Sequence, residues 1–230
     1  SNLSELSSDS YRFIQGDICD FELTSNLAGS HDVIINFAAE SHVDRSIEDP
    51  LTFANTNFMG VCKLLNSCRE KEVSRFIQVS TDEVYGSIET GSWDELFPLK
   101  PNSPYAASKA AADLISLSYY KTFGVPVIIT RCSNNYGYFQ NVEKLIPLFI
   151  TNLLAGKKVP LYGSGKNIRE WIHVSDHVRG IAHAIKFGEF GEVYNIASDT
   201  ELTNLDITRI LLNYFKLDET YISYVSDRKG

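Results

Sequence analysis

Scarcity narrows this sequence first. Its 230 residues hold four cysteines, one methionine and two tryptophans. Cys19, Cys62, Cys68 and Cys132 form no Cys-x-x-Cys pair and sit inside apolar runs. That pattern argues against a disulfide framework or a zinc site. It suits reduced, mostly buried thiols in a cytoplasmic protein. His42, His173, His177 and His183 show no ligand spacing with cysteines or carboxylates, so they read as structural or surface residues and no metal is expected. No apolar run reaches the ~18 residues that would suggest a membrane span. The first ten residues are polar and do not resemble a signal peptide. Positive charge is also in deficit: the net charge is −8. Such a surface repels nucleic acid and anionic membranes, so neither is expected as a partner. An anionic substrate would need a local basic pocket. Finally, no Gly-x-Gly-x-x-Gly turn occurs, although a dinucleotide-binding sheet normally opens with a strand and such a turn.

What remains is ordinary globular material, 43% apolar and 22% charged. It suffices for one large α/β domain, or one domain with a small lobe. Strands are expected at residues 11–15, 33–39, 75–80 and 125–131. Helices are expected at 51–71 and 104–123, the second with Pro104 in its first turn and Gly124 just past its end. The continuous apolar run at 33–39 fits a strand covered on both faces. Alternation of strand and helix to about residue 132 predicts a doubly wound parallel sheet. Beyond it, helices are expected at 143–155, 174–187 and 205–215, with strands at 158–162, 170–174 and 192–197. This second half suits a smaller α/β substrate-binding lobe.

Two segments carry chemistry. Tyr105 and Lys109 lie four apart, on one face of a helix. An ammonium beside a phenol favours the phenolate, giving a tyrosine able to act as a base. The spacing alone is weak, because a half-buried tyrosine with a solvated lysine has the same pattern. The second segment, residues 80–86, follows the strand at 75–80 and contains Thr81, Asp82 and Glu83. Ligands bind beyond the carboxyl ends of strands in open α/β sheets. Adjacent carboxylates repel, but they serve well as an acid and a base. A polar loop with Asp82 as a cap is the plainer alternative.

Several ordered motifs together resemble the extended short-chain dehydrogenase/reductase family. They are Asp17-Ile18, residues 37–46, residues 80–86, residues 105–109, residues 132–137, residues 143–147 and residues 168–171. Within the family the likeness is to the nucleotide-sugar 4,6-dehydratases acting on dTDP-glucose, and it covers nearly the whole chain. The resemblance implies a Rossmann-type fold and NAD as cofactor. Asp17, Ile18, Phe37, Ala38, Ala39, Glu40, Thr56 and Asn135 would line the cofactor. Tyr105 and Lys109 would act as base and partner, also touching NAD, while Thr81, Asp82 and Glu83 would complete the catalytic set. Ser41, Thr81 and Asn134 would hold the sugar. Lys144, Leu145, Pro160, Leu161, Tyr162, Arg169, Asn204 and Arg228 would hold the nucleoside diphosphate, supplying the local positive charge an acidic protein needs.

The activity so implied is conversion of dTDP-glucose to its 4-keto-6-deoxy product and water. Another member of the same family acting on UDP-sugars, a UDP-glucose 4,6-dehydratase, an epimerase or a decarboxylase, is the nearest alternative. Epimerases of the family typically lack the Asp-Glu pair, and decarboxylases usually carry a small hydroxyl residue where Asp82 stands. An inactive, truncated sugar-nucleotide-binding fragment is another alternative. By the same likeness, residues 1–140 would be the NAD-binding domain. Residues 141–230 would be mainly the substrate lobe, with 170–200 returning to the sheet. The helices at 51–71 and 104–123 would form a homodimer contact. The chain begins where the family's third strand is expected. An excerpt of a longer chain is therefore expected, and 25.8 kDa of it alone should hold NAD weakly.

Overall fold

Alternating apolar and amphipathic stretches fold into a mixed α/β structure, which the computed structural model describes for residues 6–29 and 33–227. In chain order, α1 (Phe21–Leu27), β1 (Val33–Asn36), α2 (Val43–Glu48) and α3 (Pro50–Ala54) come first. A π-helical turn (Asn55–Gly60) joins α3 to α4 (Val61–Glu70), and β2 (Arg75–Thr81) runs into a 3₁₀ turn (Asp82–Tyr85). Next are α5 (Pro104–Phe123), β3 (Val127–Cys132), β4 (Asn134–Tyr136), α6 (Leu145–Leu154), β5 (Val159–Tyr162) and β6 (Ile168–His173). Last are α7 (Val174–Phe187), β7 (Val193–Ile196), β8 (Glu201–Thr203), α8 (Asn204–Tyr214) and β9 (Ile222–Val225). No helix among the described residues is long and apolar enough to cross a membrane.

The chain divides into two units, Ser1–Arg131 with Ile181–Asn195, and Cys132–Gly180 with Ile196–Gly230. The first holds the sheet β1-β2-β3-β7. β1 and β2 run parallel, with Val33 opposite Arg75 and Asn36 opposite Gln78. Its core joins Val61, Leu64, Leu65 and Cys68 of α4 to Phe76, Val127 and Ile129 of the sheet, and to Ala112 of α5. Burying each large apolar side chain contributes about 1.5–3 kcal/mol, which is why α4 and the sheet stay together. Burial pushes the Cys68 thiol up to about 12. Arg75 reaches the carboxyl end of α7, donating from Nη1 to the carbonyls of Ile185, Ala184 and Gly188. Carbonyls at that end have no partner within the helix, and a cation there is favourable.

In the second unit, β4, β6 and β8 form one sheet and β5 and β9 another. β4 lies parallel to β6, and β8 antiparallel to it. Leu161, Val159, Phe149, Leu153, Leu212 and Ile222 make its core. A capping box opens α8: Thr203 and Asp206 each bond the other's backbone N–H, satisfying two of the donors a helix start leaves over.

Several expectations are corrected here. Residues 11–15 form no strand; no described strand pairs with them, and a strand needs a ladder partner. The expected helix at 51–71 is broken into α3, a π turn and α4. Apolar spacing passes through the widened turn without marking it. Of the thiols only Cys68 is buried, whereas Cys19, Cys62 and Cys132 are part-exposed, and none of the four is paired in a disulfide. The strand expected at 125–131 starts at Val127, after Pro126. The short elements α1, α2, β4, β8 and β9 carry too few residues to show a period.

Candidate active site

The candidate catalytic residues sit on the β2–α5 segment of the first unit. α5 starts cleanly: the Ser103 hydroxyl accepts from the Ala106 N–H, and Pro104 takes the first helical position. Gly124 ends it with φ +73, a left-handed turn that costs glycine little. The buried side of α5 is small and polar, with Ala106, Ser108, Ala110, Ala112 and Ser116. Small side chains let the helix approach β2 closely. Lys109, only 5% exposed, donates from Nζ to the Val79 carbonyl at 2.7 Å. Tyr105 is buried one turn earlier, edge-on to the Phe53 ring of α3.

β2 delivers Thr81, Asp82 and Glu83 where the strand becomes a 3₁₀ turn. The Thr81 hydroxyl donates to Asp82 Oδ1 at 3.2 Å and accepts from the Glu83 N–H at 3.2 Å. Thr81 is buried, Asp82 half-buried and Glu83 exposed. The carboxylates are thus presented outward from an anchored base. Gly86 closes the turn with φ +86, and a Cβ there would meet the Lys100 carbonyl oxygen at 2.1 Å. Lys100 in turn donates its N–H to the Val84 carbonyl.

The segment after β1 is held from two directions. Asn36 donates to Gln78 Oε1 at 2.9 Å and accepts from the Ala38 N–H at 3.1 Å. Asn57, from the π turn, accepts from the Glu40 N–H at 2.8 Å and donates to the Glu40 carbonyl and the Ser108 hydroxyl, both at 2.9 Å. The Ser108 hydroxyl in turn donates to the Tyr105 carbonyl at 2.7 Å. One buried amide therefore ties the 38–40 segment to the turn of α5 that carries Tyr105. π turns recur at functional sites. Neither Asn36 nor Asn57 was singled out by the sequence; their only signal was an amide within an apolar stretch. Asp17 accepts from the Cys19 N–H in a local turn, Ile18 packs against Gly60, and Thr56 is half-buried in the π turn. Ser41 is exposed.

In the second unit, Asn134 and Asn135 lie on β4 beside Trp171 and Ile172 of β6. Asn135 Oδ1 is bonded to His177 Nδ1 at 2.8 Å; burial lowers the His177 pKa. Lys144 and Leu145 stand at the start of α6, and Pro160, Leu161 and Tyr162 on β5. Leu161 is 1% exposed in the core, so only its backbone could meet a ligand. Arg169 is exposed on β6, and Asn204 opens α8 with its N–H on the Asn167 carbonyl. Arg228 lies outside the described residues. Among the described residues no His, Cys, Asp and Glu cluster could hold a metal ion.

A parallel sheet with Tyr105 and Lys109 on the helix after a Thr-Asp-Glu strand end defines a class, the extended short-chain dehydrogenases/reductases. More particularly, the chain belongs to the family described as GDP-mannose 4,6 dehydratase, whose profile matches residues 1–225. It is 54% identical over 230 residues to a dTDP-glucose 4,6-dehydratase of Actinoplanes sp., covering all of this chain and 72% of that protein. It is 54% identical over 218 residues to one of Streptomyces antibioticus, covering 95% of this chain and 65% of that protein. A crystal structure of a dTDP-glucose 4,6-dehydratase from Streptomyces venezuelae, with NAD and dTDP bound, matches with a TM-score of 0.97 and 52% identity. That match covers all of this chain and 71% of the solved one. The chain thus spans about two thirds to 72% of these relatives.

Proposed function

We propose that the protein carrying this chain is an NAD-dependent nucleotide-sugar 4,6-dehydratase that converts dTDP-glucose to its 4-keto-6-deoxy product and water. The observation that carries this reading is the join at the end of β2. The Lys109 ammonium is anchored to the Val79 carbonyl, and Thr81, Asp82 and Glu83 follow two residues later. Redox and elimination groups therefore share one strand–helix unit. The residues after β1 also fit close approach of a dinucleotide. Phe37, 60% exposed, leaves β1 beside the small Ala38 and Ala39, and the backbone of Ala38 and Glu40 is fixed from behind.

When bound, NAD supplies a hydride acceptor for C4 and returns the hydride to C6. Asp17, Ile18, Phe37, Ala38, Ala39, Glu40, Thr56, Tyr105, Lys109 and Asn135 would hold it. Tyr105 takes the proton of the C4 hydroxyl, its phenolate favoured by the Lys109 charge one turn away. When the sugar binds, the Thr81 hydroxyl would turn its one proton from Asp82 Oδ1 to the C4 oxygen. The 4-ketone acidifies C5–H, and Glu83 removes that proton. Electrons move into the C5–C6 bond, the C6–O bond breaks, and Asp82 protonates the departing hydroxyl to give water; a proton delivered to C5 then completes the 4-keto-6-deoxy product. Ser41 and Asn134 hold the sugar. Lys144, Leu145, Pro160, Leu161, Tyr162, Arg169, Asn204 and Arg228 hold the nucleoside diphosphate. A reducing, cytoplasmic setting suits the four thiols.

Incubation of the whole protein and NAD with dTDP-glucose, UDP-glucose and GDP-mannose tests the reading. The 4-keto-6-deoxy product is expected from dTDP-glucose. Turnover of none would overturn it, and turnover of GDP-mannose alone would reassign the substrate.

The helices at 50–70 and 104–123 also support a homodimer, because they expose Leu51, Met59, Leu114 and Phe123. Large apolar side chains left exposed mark surfaces that a second copy could cover. Leu114→Glu should convert a sedimenting dimer to monomer. A wild-type protein that sediments only as monomer would remove this assignment.

A further inference from the structure

We propose that Tyr85 is a positioning residue for the elimination step, setting the angle at which Asp82 and Glu83 meet the sugar. The inference rests on the dehydratase reading above. Tyr85 ends the 3₁₀ turn that begins at Asp82, so its side chain fixes the far end of the segment bearing both carboxylates. It is 1% exposed. Its hydroxyl donates to Asn195 Oδ1 at 2.8 Å and accepts from Arg131 Nη1 at 2.9 Å. Arg131 is itself locked, with Nε on Asp113 Oδ2 at 2.9 Å and both side chains buried. Asn195 is held by Glu95 through its own N–H and by the Trp93 carbonyl through Nδ2.

The ring is gripped as firmly as the hydroxyl. Trp93 stacks on it at 5.6 Å and 15°, Phe97 meets it edge-on, and the Arg131 guanidinium lies 4.8 Å over its centre. Burial raises the phenol's pKa, against the pull of Arg131, so the hydroxyl remains a donor. A four-residue turn needs none of this to exist. A turn that must hold two carboxylates in register with a reacting C5–C6 bond does, because a misplacement of ~1 Å can cost about 10²-fold in rate. Tyr105 and Lys109 reach the C4 end from α5 and Thr81 from the near end of the turn, so the redox half depends on Tyr85 far less than the two carboxylates do.

Tyr85→Phe removes one oxygen and keeps the stacked ring. In the whole protein with NAD and dTDP-glucose, kcat should fall about 10²-fold with KM within about twofold. Rapid quench and mass analysis should then show sugar nucleotide already ketonic at C4 that still carries its C6 hydroxyl, a species scarcely present in wild type. Asn195→Leu, which removes the acceptor, should give the same species. The double variant should be no slower than the worse single, because each single change already breaks the Tyr85–Asn195 hydrogen bond. Normal kcat in Tyr85→Phe, or slowing in which C4 oxidation and elimination fall together, overturns the proposal. If wild type forms no 4-keto-6-deoxy product, both this and the dehydratase reading fall. If it does, only the role of Tyr85 is at stake.

Discussion

Replacing Glu83 by glutamine should lower kcat for dehydration by about 10²–10⁴-fold, the usual worth of a positioned general base, if Glu83 has the role proposed above. The amide has the shape of the carboxyl but cannot accept the C5 proton. The turn should survive the change, because the bond that fixes this residue comes from its backbone N–H to the Thr81 hydroxyl. Its side chain is exposed, so stability should stay within about 0.5 kcal/mol of wild type. Asp82→Asn should slow loss of the C6 hydroxyl by a similar factor, while the Thr81 hydroxyl keeps an oxygen to donate to. Steady-state kinetics separate these effects, with KM near wild type in both variants. Deuterium from solvent should no longer enter C5 in Glu83→Gln. Full activity in both variants would remove the acid and base roles.

Arg131→Met should destabilise the protein by about 3–5 kcal/mol, because it leaves a buried carboxylate without its counter-charge. Asp113 is 0% exposed and Arg131 4%. Burial already raises the Asp113 pKa, and the Arg131 charge opposes that rise. Without Arg131 the folded-state pKa rises further above its unfolded value. A carboxyl whose folded pKa is raised costs stability wherever the unfolded chain is ionised, so the deficit should shrink as pH falls from that raised pKa towards the unfolded value. Replacing both partners, Arg131→Met with Asp113→Leu, removes both desolvation penalties and should recover much of the loss. Thermal unfolding midpoints of the two variants across pH would measure this. A single variant as stable as wild type would show that the pair carries no such weight.

These two experiments probe residues of different legibility. Thr81, Asp82, Glu83, Tyr105 and Lys109 could be read directly, since each is a reactive type at a telling place in a strand–helix alternation. The bounds of α5 and α7 were also visible, α5 through Pro104 and Gly124. The support behind the site was not. Asp113 and Arg131 showed only as charges within apolar runs, and Asn57 and Asn195 as amides that could equally have faced solvent. Their partners lie 17 to 110 residues away along the chain, and no local period records such a distance. Residues 11–15 failed for the converse reason: β-type composition was present, but the ladder partner that makes a strand was absent among the described residues. The π turn was hidden because one extra residue in a helix hardly disturbs the apolar spacing.

The late arrival of β7 has a consequence for biosynthesis. β7 completes the β1-β2-β3-β7 sheet, yet about sixty residues separate it from β3, several seconds or more of translation at the usual rate. It also brings Asn195, the acceptor for the Tyr85 hydroxyl. On the ribosome, the turn bearing Asp82 and Glu83 is therefore made early and braced late. Until β7 emerges, a nascent chain exposes one side of β3 as an unpaired edge, the kind of surface that chaperones cover and that aggregates recruit.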